Sequence, residues 1–304
     1  MTTDEASNLV TGLSNQLADA VARAAESTLT VFARRRLPAS GIAWSAGGVV
    51  VTSNHAVERD DDIRIGMPDG SEIPARLAGR DPGSDIAVLQ VEASLAPIAP
   101  AEAGMPRVGH LVLAVGRPSI GGPGASLGVV GALGGPWRTA TGTEMDGYIQ
   151  TDATFFPGFS GGPLVDTAGR ALGMNSSALG RGAGLTLPCT SVAKVVGALL
   201  QGGRIRRGYL GIGSQPARLP ETLAARLDGQ ATGLLIVGVE PGSPAERGGL
   251  LLGDILARMA GAQLLDTGDL QRLLGPDSVG KATPMTVLRG GQPLDLTITV
   301  GERE

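Results

Sequence analysis

The spacing of apolar residues changes along the chain. At the amino terminus Leu9, Leu13, Leu17, Val21 and Ala25 recur every four residues, which predicts an amphipathic helix over residues 4–26. Beyond residue 28, short apolar runs alternate with turn signals and predict strands. These runs include LTVF (29–32), GVVVTS (48–53), IAVLQV (86–91), HLVLAV (110–115), YIQTDA (148–153) and ALGMNS (171–176). Many strands and little helix over residues 28–188 are typical of β-barrels or a β-sandwich.

The pattern changes again in the last third of the chain. VAKVVGALL (192–200) predicts a helix with Thr190 or Ser191 as its N-cap, and QGGRIRR (201–207) predicts a linker. Strands and helices then mix: a strand at 234–239, a short helix in 242–250, a strand at 254–259, a helix at 267–275 and a hairpin over 284–300. The sequence therefore predicts four parts, namely a helical segment (1–27), a mainly β domain (28–200), the linker (201–207) and a small α+β domain (208–304).

Composition narrows the class of protein. The 304 residues are 42% hydrophobic and 18% charged, a balance that supports a sizeable core and argues against wholesale disorder. Aromatic residues make up only 3%, which suits many short strands joined by tight turns. The net charge of −4 lacks the basic surplus of a nucleic-acid-binding protein. The short arginine runs at 34–36 and 204–207 are accordingly interpreted as solvated loop or linker charge.

Few residues could hold a metal or form a disulfide. Cys189 is the single cysteine, so no internal disulfide is possible, and with only two histidines no Cys/His zinc site and no cofactor are expected. The start MTTDEASNLV lacks the features of a signal peptide. No run approaches the roughly 18 apolar residues of a membrane span. The compartment stays open between the cytoplasm and an envelope protein whose export segment is absent from this chain.

The stretch PGFSGGPLVD (157–166) carries the candidate chemistry. A serine hydroxyl becomes a nucleophile when a histidine, held by a carboxylate, accepts its proton. For Ser160 the candidate partners are His55, just after an apolar strand, and Asp85, just before one. His110 is assigned to a surface or strand edge, and Asp81 to a turn. The alternatives are a turn serine, a strand-end histidine bonded to a backbone carbonyl, and an aspartate that caps a strand.

Three segments together resemble the catalytic segments of the HtrA (Deg) family of serine proteases: TSNHAV, DPGSDIAVLQV and YIQTDATFFPGFSGGPLVDTAGRALGMNSS. The resemblance implies a chymotrypsin-like double β-barrel followed by a PDZ domain. It implies His55 as general base, Asp85 as its orienting carboxylate, Ser160 as nucleophile, and an oxyanion hole from the N–H groups of Gly158 and Ser160. It also implies unfolded polypeptide substrates, a homotrimer and no cofactor.

The sequence departs from the family before the serine. Relatives usually have asparagine where this chain has Phe156 and Phe159, a change expected to alter how the loop switches between active and inactive forms. By the resemblance, the base of the S1 pocket is Thr154 and not an acid, so cleavage after lysine or arginine is not expected. The other expected pocket residues are Met174, Leu185 and Leu187, which favour small to medium aliphatic residues before the scissile bond.

RRGYLGIG (206–213) resembles the carboxylate-binding loop of an HtrA-type PDZ domain. Its expected peptide-binding residues are Tyr209, Leu210, Gly211 and Ile212. The leucines of the helix DLQRLL, Leu270, Leu273 and Leu274, either face the peptide groove or pack in the core. The rival function is a PDZ-based binding protein or holdase with a latent protease site. An esterase of the α/β-hydrolase type is disfavoured because there the histidine comes last in the chain.

Overall fold

A computed structural model describes residues 3–101, 106–119, 121–139, 143–180, 184–204 and 207–302. The chain divides into two compact units, Met1–Ile205 and Arg206–Glu304. Part of the second arginine run, Ile205 and Arg206, lies outside the described residues. No helix within the described ranges is long and apolar enough to cross a membrane.

The first unit begins with helix α1, Thr3–Ala25, as the four-residue spacing predicts. Its carboxyl-terminal half packs on the second barrel described below, because one face of the helix is apolar. The packed residues of the helix are Leu17, Ala20, Val21 and Ala24, which contact Leu113, Val115 and Val165. At the other end of the helix the side chains of Leu9, Val10 and Leu13 are exposed.

Six antiparallel strands then close into a first barrel. They are β1 (Thr28–Phe32), β2 (Ala39–Ser45), β3 (Val49–Ser53), β4 (Ile63–Gly66), β5 (Glu72–Asp81) and β6 (Ile86–Val91). The order around the barrel is β1-β2-β3-β6-β5-β4. Branched aliphatic side chains such as Val31, Val50 and Leu89 fill the interior, since β-branched and aliphatic residues suit a buried pleated surface. The pairing of β3 with β6 brings together two of the candidate catalytic residues, as described below.

A second closed barrel follows, in the order β11-β14-β13-β12-β7-β8. Its strands are β7 (Leu111–Gly116), β8 (Gly124–Gly134), β11 (Tyr148–Thr151), β12 (Pro163–Val165), β13 (Ala171–Ser176) and β14 (Leu185–Pro188), and β9 (Trp137–Arg138) pairs with β10 (Glu144–Met145) in a short hairpin. The predicted mainly β architecture with two barrels is therefore confirmed.

Helix α2, Cys189–Gly202, closes the first unit and begins earlier than the sequence indicates. Its N-cap is Pro188, not Thr190 or Ser191, because this proline ends β14 in an extended conformation and the helix starts directly after it. The last turn includes Gln201 and Gly202, which the pattern had assigned to the linker. The helix ends at Gly203 in the left-handed conformation that favours glycine.

The second unit is a small α+β domain. Its main sheet has the order β16-β17-β18-β20-β21, which leaves β16 at an edge. The strands are β15 (Gly208–Tyr209), β16 (Ile212–Arg218), β17 (Thr232–Val239), β18 (Ile255–Met259), β19 (Ala262–Gln263), β20 (Ala282–Arg289), β21 (Gln292–Thr299) and β22 (Gly301–Glu302). The helices are α3 (Glu221–Ala224), α4 (Pro244–Arg247) and α5 (Thr267–Leu273). The mixed pattern predicted beyond residue 208 is confirmed.

Candidate active site

The pairing of β3 with β6 brings His55 beside Asp85. Ser53, the last residue of β3, lies opposite Ile86, the first residue of β6, so the residues just beyond these ends are neighbours. The N–H of Asn54 donates to the carbonyl of Asp85 at 3.0 Å. Asp85 has a φ of 57°, a left-handed conformation that aspartate adopts more readily than most residues. Two residues 30 positions apart in sequence therefore meet because of strand register.

The carboxylate of Asp85 holds the imidazole of His55 through several hydrogen bonds. Nδ1 of His55 lies 3.0 Å from Oδ1 and 2.9 Å from Oδ2, and the backbone N–H of His55 donates to Oδ1 at 2.9 Å. The side chain of Asp85 is 4% exposed and that of His55 is 31% exposed. A carboxylate that accepts a hydrogen bond from Nδ1 favours the tautomer that carries its proton there, which leaves Nε2 free to accept a proton.

Ser176 is a third member of this hydrogen-bonded cluster that the sequence analysis missed. Its hydroxyl donates to Oδ2 of Asp85 at 2.5 Å and is buried at the end of β13. A buried carboxylate needs such donors, since an unsatisfied charge in a dry environment is costly. Ser176 ends the segment ALGMNS, and the signal that could have found it is a polar residue in an otherwise apolar strand.

Ser160 lies in a tight turn between β11 and β12. The N–H of Phe159 donates to the carbonyl of Phe156 at 2.9 Å, and the N–H of Gly162 donates to the carbonyl of Phe159 at 3.0 Å. Gly161 has a φ of 85°, and a Cβ there would overlap the carbonyl oxygen of Ser40. Glycine is therefore needed in this turn for its backbone conformation and for the close approach of β2.

The N–H groups of Gly158 and Ser160 have no hydrogen-bond acceptor among the residues that the structure describes. The carbonyl of Gly158 is held by the hydroxyl of Ser40, which donates to it at 2.6 Å and itself accepts from the N–H of Arg117 at 2.8 Å. Gly158 has a φ of 88°. The bonds to the carbonyl of Gly158 and from the N–H of Phe159 hold the peptide between the two free N–H groups, which remain available as donors for an anionic oxygen. Ser40 is a further supporting residue that sequence reasoning did not identify.

The hydroxyl of Ser160 has two partners, both in Ser177. Its Oγ lies 2.9 Å from Oγ of Ser177 and accepts from the N–H of Ser177 at 3.2 Å. In the described part of the chain, His55 is not among its hydrogen-bond partners. Both side chains nevertheless line one cavity of about 610 Å³. In a protein without substrate, such bonds are often looser than in the reacting complex.

The two phenylalanines before the serine pack on each other, and Phe159 also packs on the second barrel. Their rings meet edge to face with centroids 5.4 Å apart. Phe159 is 2% exposed and belongs to the core cluster that contains Val112 and Leu164, while Phe156 is 49% exposed and lines the cavity. The apolar side chains are therefore explained by packing, since Phe159 acts as a hydrophobic anchor of the turn that carries the serine.

The four expected S1 residues do not all lie at a pocket. Met174 and Leu187 are fully buried in the core beneath α2, in a cluster that also contains Ile42, Val51 and Val192, and this corrects the expectation that they line the substrate pocket. The two residues lie opposite each other on β13 and β14, so their side chains share one face of the sheet, and that face is covered by α2. Thr154 is exposed and Leu185 is half-buried, and neither lines the cavity that holds Ser160.

Phe155 is another residue near Ser160 that sequence reasoning missed. It is half-buried and lines the cavity. Its ring lies so close to Gly184 that a Cβ on that glycine would overlap it. The ring therefore fills space beside the nucleophile that a smaller residue would leave open.

The other candidate nucleophile, the other histidine and the neighbouring aspartate are less suitable for catalysis. Burial raises the pKa of the Cys189 thiol to about 11, so this group is protonated at neutral pH and is a poor nucleophile. His110 directly precedes β7 with its ring near Arg107, and it is not among the residues that line the cavity of Ser160. Asp81 accepts from the N–H groups of Gly83 and Ser84, which is the turn role expected for it.

The expected peptide-binding loop opens the second unit. Gly211 has a φ of 77°, and a Cβ there would overlap Ser243. The N–H groups of Leu210 and Gly211 have no acceptor within the described ranges, and Ile212 begins the edge strand β16. The hydroxyl of Tyr209 donates to the carboxylate of Glu240.

The leucines of α5 mainly build the core of this unit. Leu270 is buried in the same cluster as Leu210, and Leu273, Leu274 and Ile212 pack on that cluster while half-buried. Leu270 is thus a core residue. The half-buried leucines are the ones with side-chain surface left for a ligand.

Comparison with known proteins gives two family matches. A model described as a trypsin-like peptidase domain matches residues 39–174, and a model described as a PDZ domain matches residues 208–300. A probable periplasmic serine endoprotease, DegP-like, of Pseudomonas putida (strain GB-1) is 34% identical over 268 residues, which cover 86% of this chain and 55% of that protein. A probable periplasmic serine protease of Haemophilus influenzae, described as do/HhoA-like, is 34% identical over 265 residues, covering 84% of this chain and 56% of that protein.

Solved structures resemble the chain over nearly its whole length. The HtrA-type protease AlgW with a decapeptide has 30% sequence identity and a TM-score of 0.72, and the match covers 95% of this chain and 99% of that chain. The serine endoprotease from Yersinia pestis has 29% identity and a TM-score of 0.74, covering 95% and 98%. The chain spans little more than half the length of the two periplasmic relatives above.

Proposed function

Because the chain belongs to the HtrA-type serine proteases, with a trypsin-like peptidase domain followed by a PDZ domain, we propose that it is an endopeptidase of unfolded polypeptides. The observation that carries the proposal is the convergence, on one cavity, of Ser160 with the bonded pair of His55 and Asp85. Two unpaired N–H groups in the same turn complete the set of groups that acyl transfer needs.

The catalytic cycle starts with a rotation of the Ser160 hydroxyl from Ser177 toward Nε2 of His55. Nε2 accepts the hydroxyl proton as Oγ attacks the substrate carbonyl, and the negative oxygen is stabilised by the N–H groups of Gly158 and Ser160. The imidazolium is stabilised by Asp85. His55 then gives the proton to the leaving amine, and a water molecule hydrolyses the acyl-enzyme by the same steps.

The residue before the scissile bond is proposed to be small and aliphatic, such as alanine or valine. Phe155 supports this, because its ring packs on Gly184 and reduces the space next to the nucleophile. The residues of the second barrel that line the cavity, such as Phe155 and Phe156, bring no charge to it, so lysine and arginine have no counter-ion on that side. Mass spectrometry of casein fragments tests the specificity, and dominant cleavage after basic residues would contradict it.

The PDZ domain is proposed to bind the carboxyl terminus of a peptide. The carboxylate would accept from the N–H groups of Leu210, Gly211 and Ile212, and the peptide would add as a strand to the edge of β16. Leu273 and Leu274 would contact the terminal side chain. The AlgW neighbour is described with a bound decapeptide, which supports a peptide ligand.

The edge of β16 is usable over only part of its length. The N–H of Leu219 donates to the carbonyl of Ala231, which directly precedes β17. Backbone N–H and C=O groups point to alternate sides along a strand, so those of Ser214, Pro216 and Arg218 face the open edge of β16. Proline has no N–H to donate. If the last residue of a bound peptide lies opposite Ile212, its third residue from the end lies opposite Ser214, which has an N–H to donate. Its fifth residue from the end lies opposite Pro216, which has none.

The compartment and assembly belong to the proposal as well. The relatives from Pseudomonas putida and Haemophilus influenzae are described as periplasmic, which supports an envelope location; fractionation of cells that express the full-length gene product tests it. A homotrimer, implied by the family, is tested by light scattering after size-exclusion chromatography.

A fluorophosphonate probe tests the catalytic proposal directly, because the probe reacts only with an activated serine. Wild type should be labelled, and Ser160→Ala should not be. The comparison is made with and without a peptide that has a free hydrophobic carboxyl terminus. Labelling that requires the peptide would indicate an enzyme switched through the PDZ domain. Absence of labelling in both conditions would contradict the proposal and favour a PDZ-based binding protein.

A further inference from the structure

The loop between β1 and β2 places an arginine run at the wall of the catalytic cavity. The cavity that contains Ser160 and His55 is also lined by Arg34, Arg35 and Arg36. Sequence analysis had assigned this run to solvated loop charge. The side chains of Arg35 and Arg36 are indeed exposed, but they are exposed to the cavity where a substrate would lie. The chain as a whole has a net charge of −4, so the positive charge at this cavity is opposite in sign to the charge of the whole chain.

The loop is held in place at both ends. The carbonyl of Ala33 accepts from the N–H of Glu58 at 2.9 Å. The guanidinium of Arg34 donates to the carbonyls of Leu37 and, at 3.3 Å, Pro38, which closes the loop on itself. Pro38 in turn lies against Gly158 of the oxyanion turn. The loop is thus fixed next to the catalytic groups.

Arg35 and Arg36 are available to a ligand. Neither has a hydrogen-bond or ion-pair partner among the residues that the structure describes. The nearby acids Asp60 and Asp62 pair instead with Arg80 and Arg59. Among the residues that line the cavity, Glu58 carries the one carboxylate, against three guanidinium groups. The cavity wall therefore carries an excess of positive charge.

The geometry also indicates which part of the substrate meets this wall. His55 must reach the nitrogen of the leaving amine in order to protonate it. His55 and the arginine loop both belong to the first barrel, and Glu58 follows His55 in the chain. The polypeptide after the scissile bond therefore leaves the site along the wall that contains Arg35 and Arg36.

We propose that Arg35 and Arg36 select substrates with acidic side chains on the carboxyl-terminal side of the scissile bond. The inference rests on the proposed peptidase function and adds a substrate class to it. Two exposed ion pairs supply an advantage of about 3–10-fold in kcat/KM for an acidic over a neutral peptide. Salt reduces the advantage, because the Debye length falls from about 10 Å at 0.1 M to about 3 Å at 1 M.

The experiment uses internally quenched peptides of one sequence with Asp, Ala or Lys at the second and third positions after the scissile bond. The readout is the ratio of kcat/KM values, which does not depend on how much enzyme is folded. Wild type should prefer Asp over Ala over Lys at 50 mM NaCl, with a smaller difference at 1 M NaCl. The double variant R35Q/R36Q should reduce the Asp/Ala ratio to below about 2, and R35E/R36E should reverse the order.

The matched control is R76Q/R107Q, which removes two exposed arginines that do not line the cavity and should keep the wild-type ratio. Equal rates for the Asp and Ala peptides in wild type would overturn the inference while the peptidase function stands. Absence of both cleavage and fluorophosphonate labelling would contradict the peptidase function itself, and the inference with it.

Discussion

Replacing Phe159 by alanine tests whether a buried ring holds the turn that carries the nucleophile. The ring is 2% exposed, whereas that of Phe156 is 49% exposed. It also lies so close to Gly116 that a Cβ there would overlap it. Truncating a buried phenylalanine removes its transfer free energy and leaves a cavity, which together cost about 3–5 kcal/mol of unfolding free energy. Truncating the half-exposed Phe156 should cost about 1 kcal/mol.

Urea unfolding can measure this difference in the first unit alone. Both tryptophans of the chain, Trp44 and Trp137, lie in that unit, so their fluorescence reports on it and not on the PDZ domain. With a slope of about 2–3 kcal/mol per molar urea, Phe159→Ala should lower the midpoint by about 1–2 M. Phe156→Ala, the matched control, should lower it by about 0.5 M or less.

The same variant should slow the chemistry while it is still folded. Fluorophosphonate labelling without urea should fall about 10–100-fold in Phe159→Ala, because a displacement of about 1 Å at the nucleophile or its oxyanion donors has effects of that size. Equal midpoint shifts for the two phenylalanine variants, or wild-type labelling by Phe159→Ala, would refute the anchoring role. Gly116→Ala provides a second check: it should be destabilising alone, through overlap with the ring, and less so when combined with Phe159→Ala.

Three further predictions follow from hydrogen bonds at the two sites. Asp85→Asn should lower kcat about 10⁴-fold, because the amide favours the wrong tautomer of His55; a loss below about 100-fold in a variant with native circular dichroism would contradict that role. Ser177→Ala should raise the rate of fluorophosphonate labelling about fivefold by freeing the Ser160 hydroxyl, and slower labelling would show that Ser177 assists the nucleophile instead. Pro216→Ala should tighten binding of a seven-residue carboxyl-terminal peptide about fivefold by supplying one N–H donor. Calorimetry should show no such gain for a three-residue peptide.

The three candidate catalytic residues could be selected from the sequence because each lies beside a strong local pattern. His55 follows one apolar strand, Asp85 precedes another, and Ser160 lies among glycines that a tight turn or an oxyanion hole requires. Their roles as a triad came from the resemblance to HtrA proteases. The residues that hold the candidate catalytic groups in place could not be predicted from the sequence. Ser40 and Ser176 look like ordinary strand serines, and their role depends on which backbone carbonyl or carboxylate the fold places opposite them.

Side-chain direction was the property that sequence reasoning handled least well. Met174 and Leu187 were expected at the substrate pocket and instead lie in the core, whereas Phe155 was overlooked and lines the cavity. In a strand, a shift of one residue moves a side chain from one face of the sheet to the other. Proximity in sequence to the nucleophile therefore does not decide which residues face a substrate.

The sequence by itself determined the order of strands and helices, the mainly β first domain, the α+β second domain and the residue types of the candidate site, because apolar period and turn residues act locally. Only the tertiary structure decided what those residues contact. Closure of the first barrel aligned Ser53 with Ile86 and so joined His55 to Asp85, and packing of Phe159 fixed the turn of Ser160. The loop between β1 and β2 placed a charged run at the cavity for the same reason: contacts between segments distant in sequence depend on strand register and packing, which no local pattern encodes.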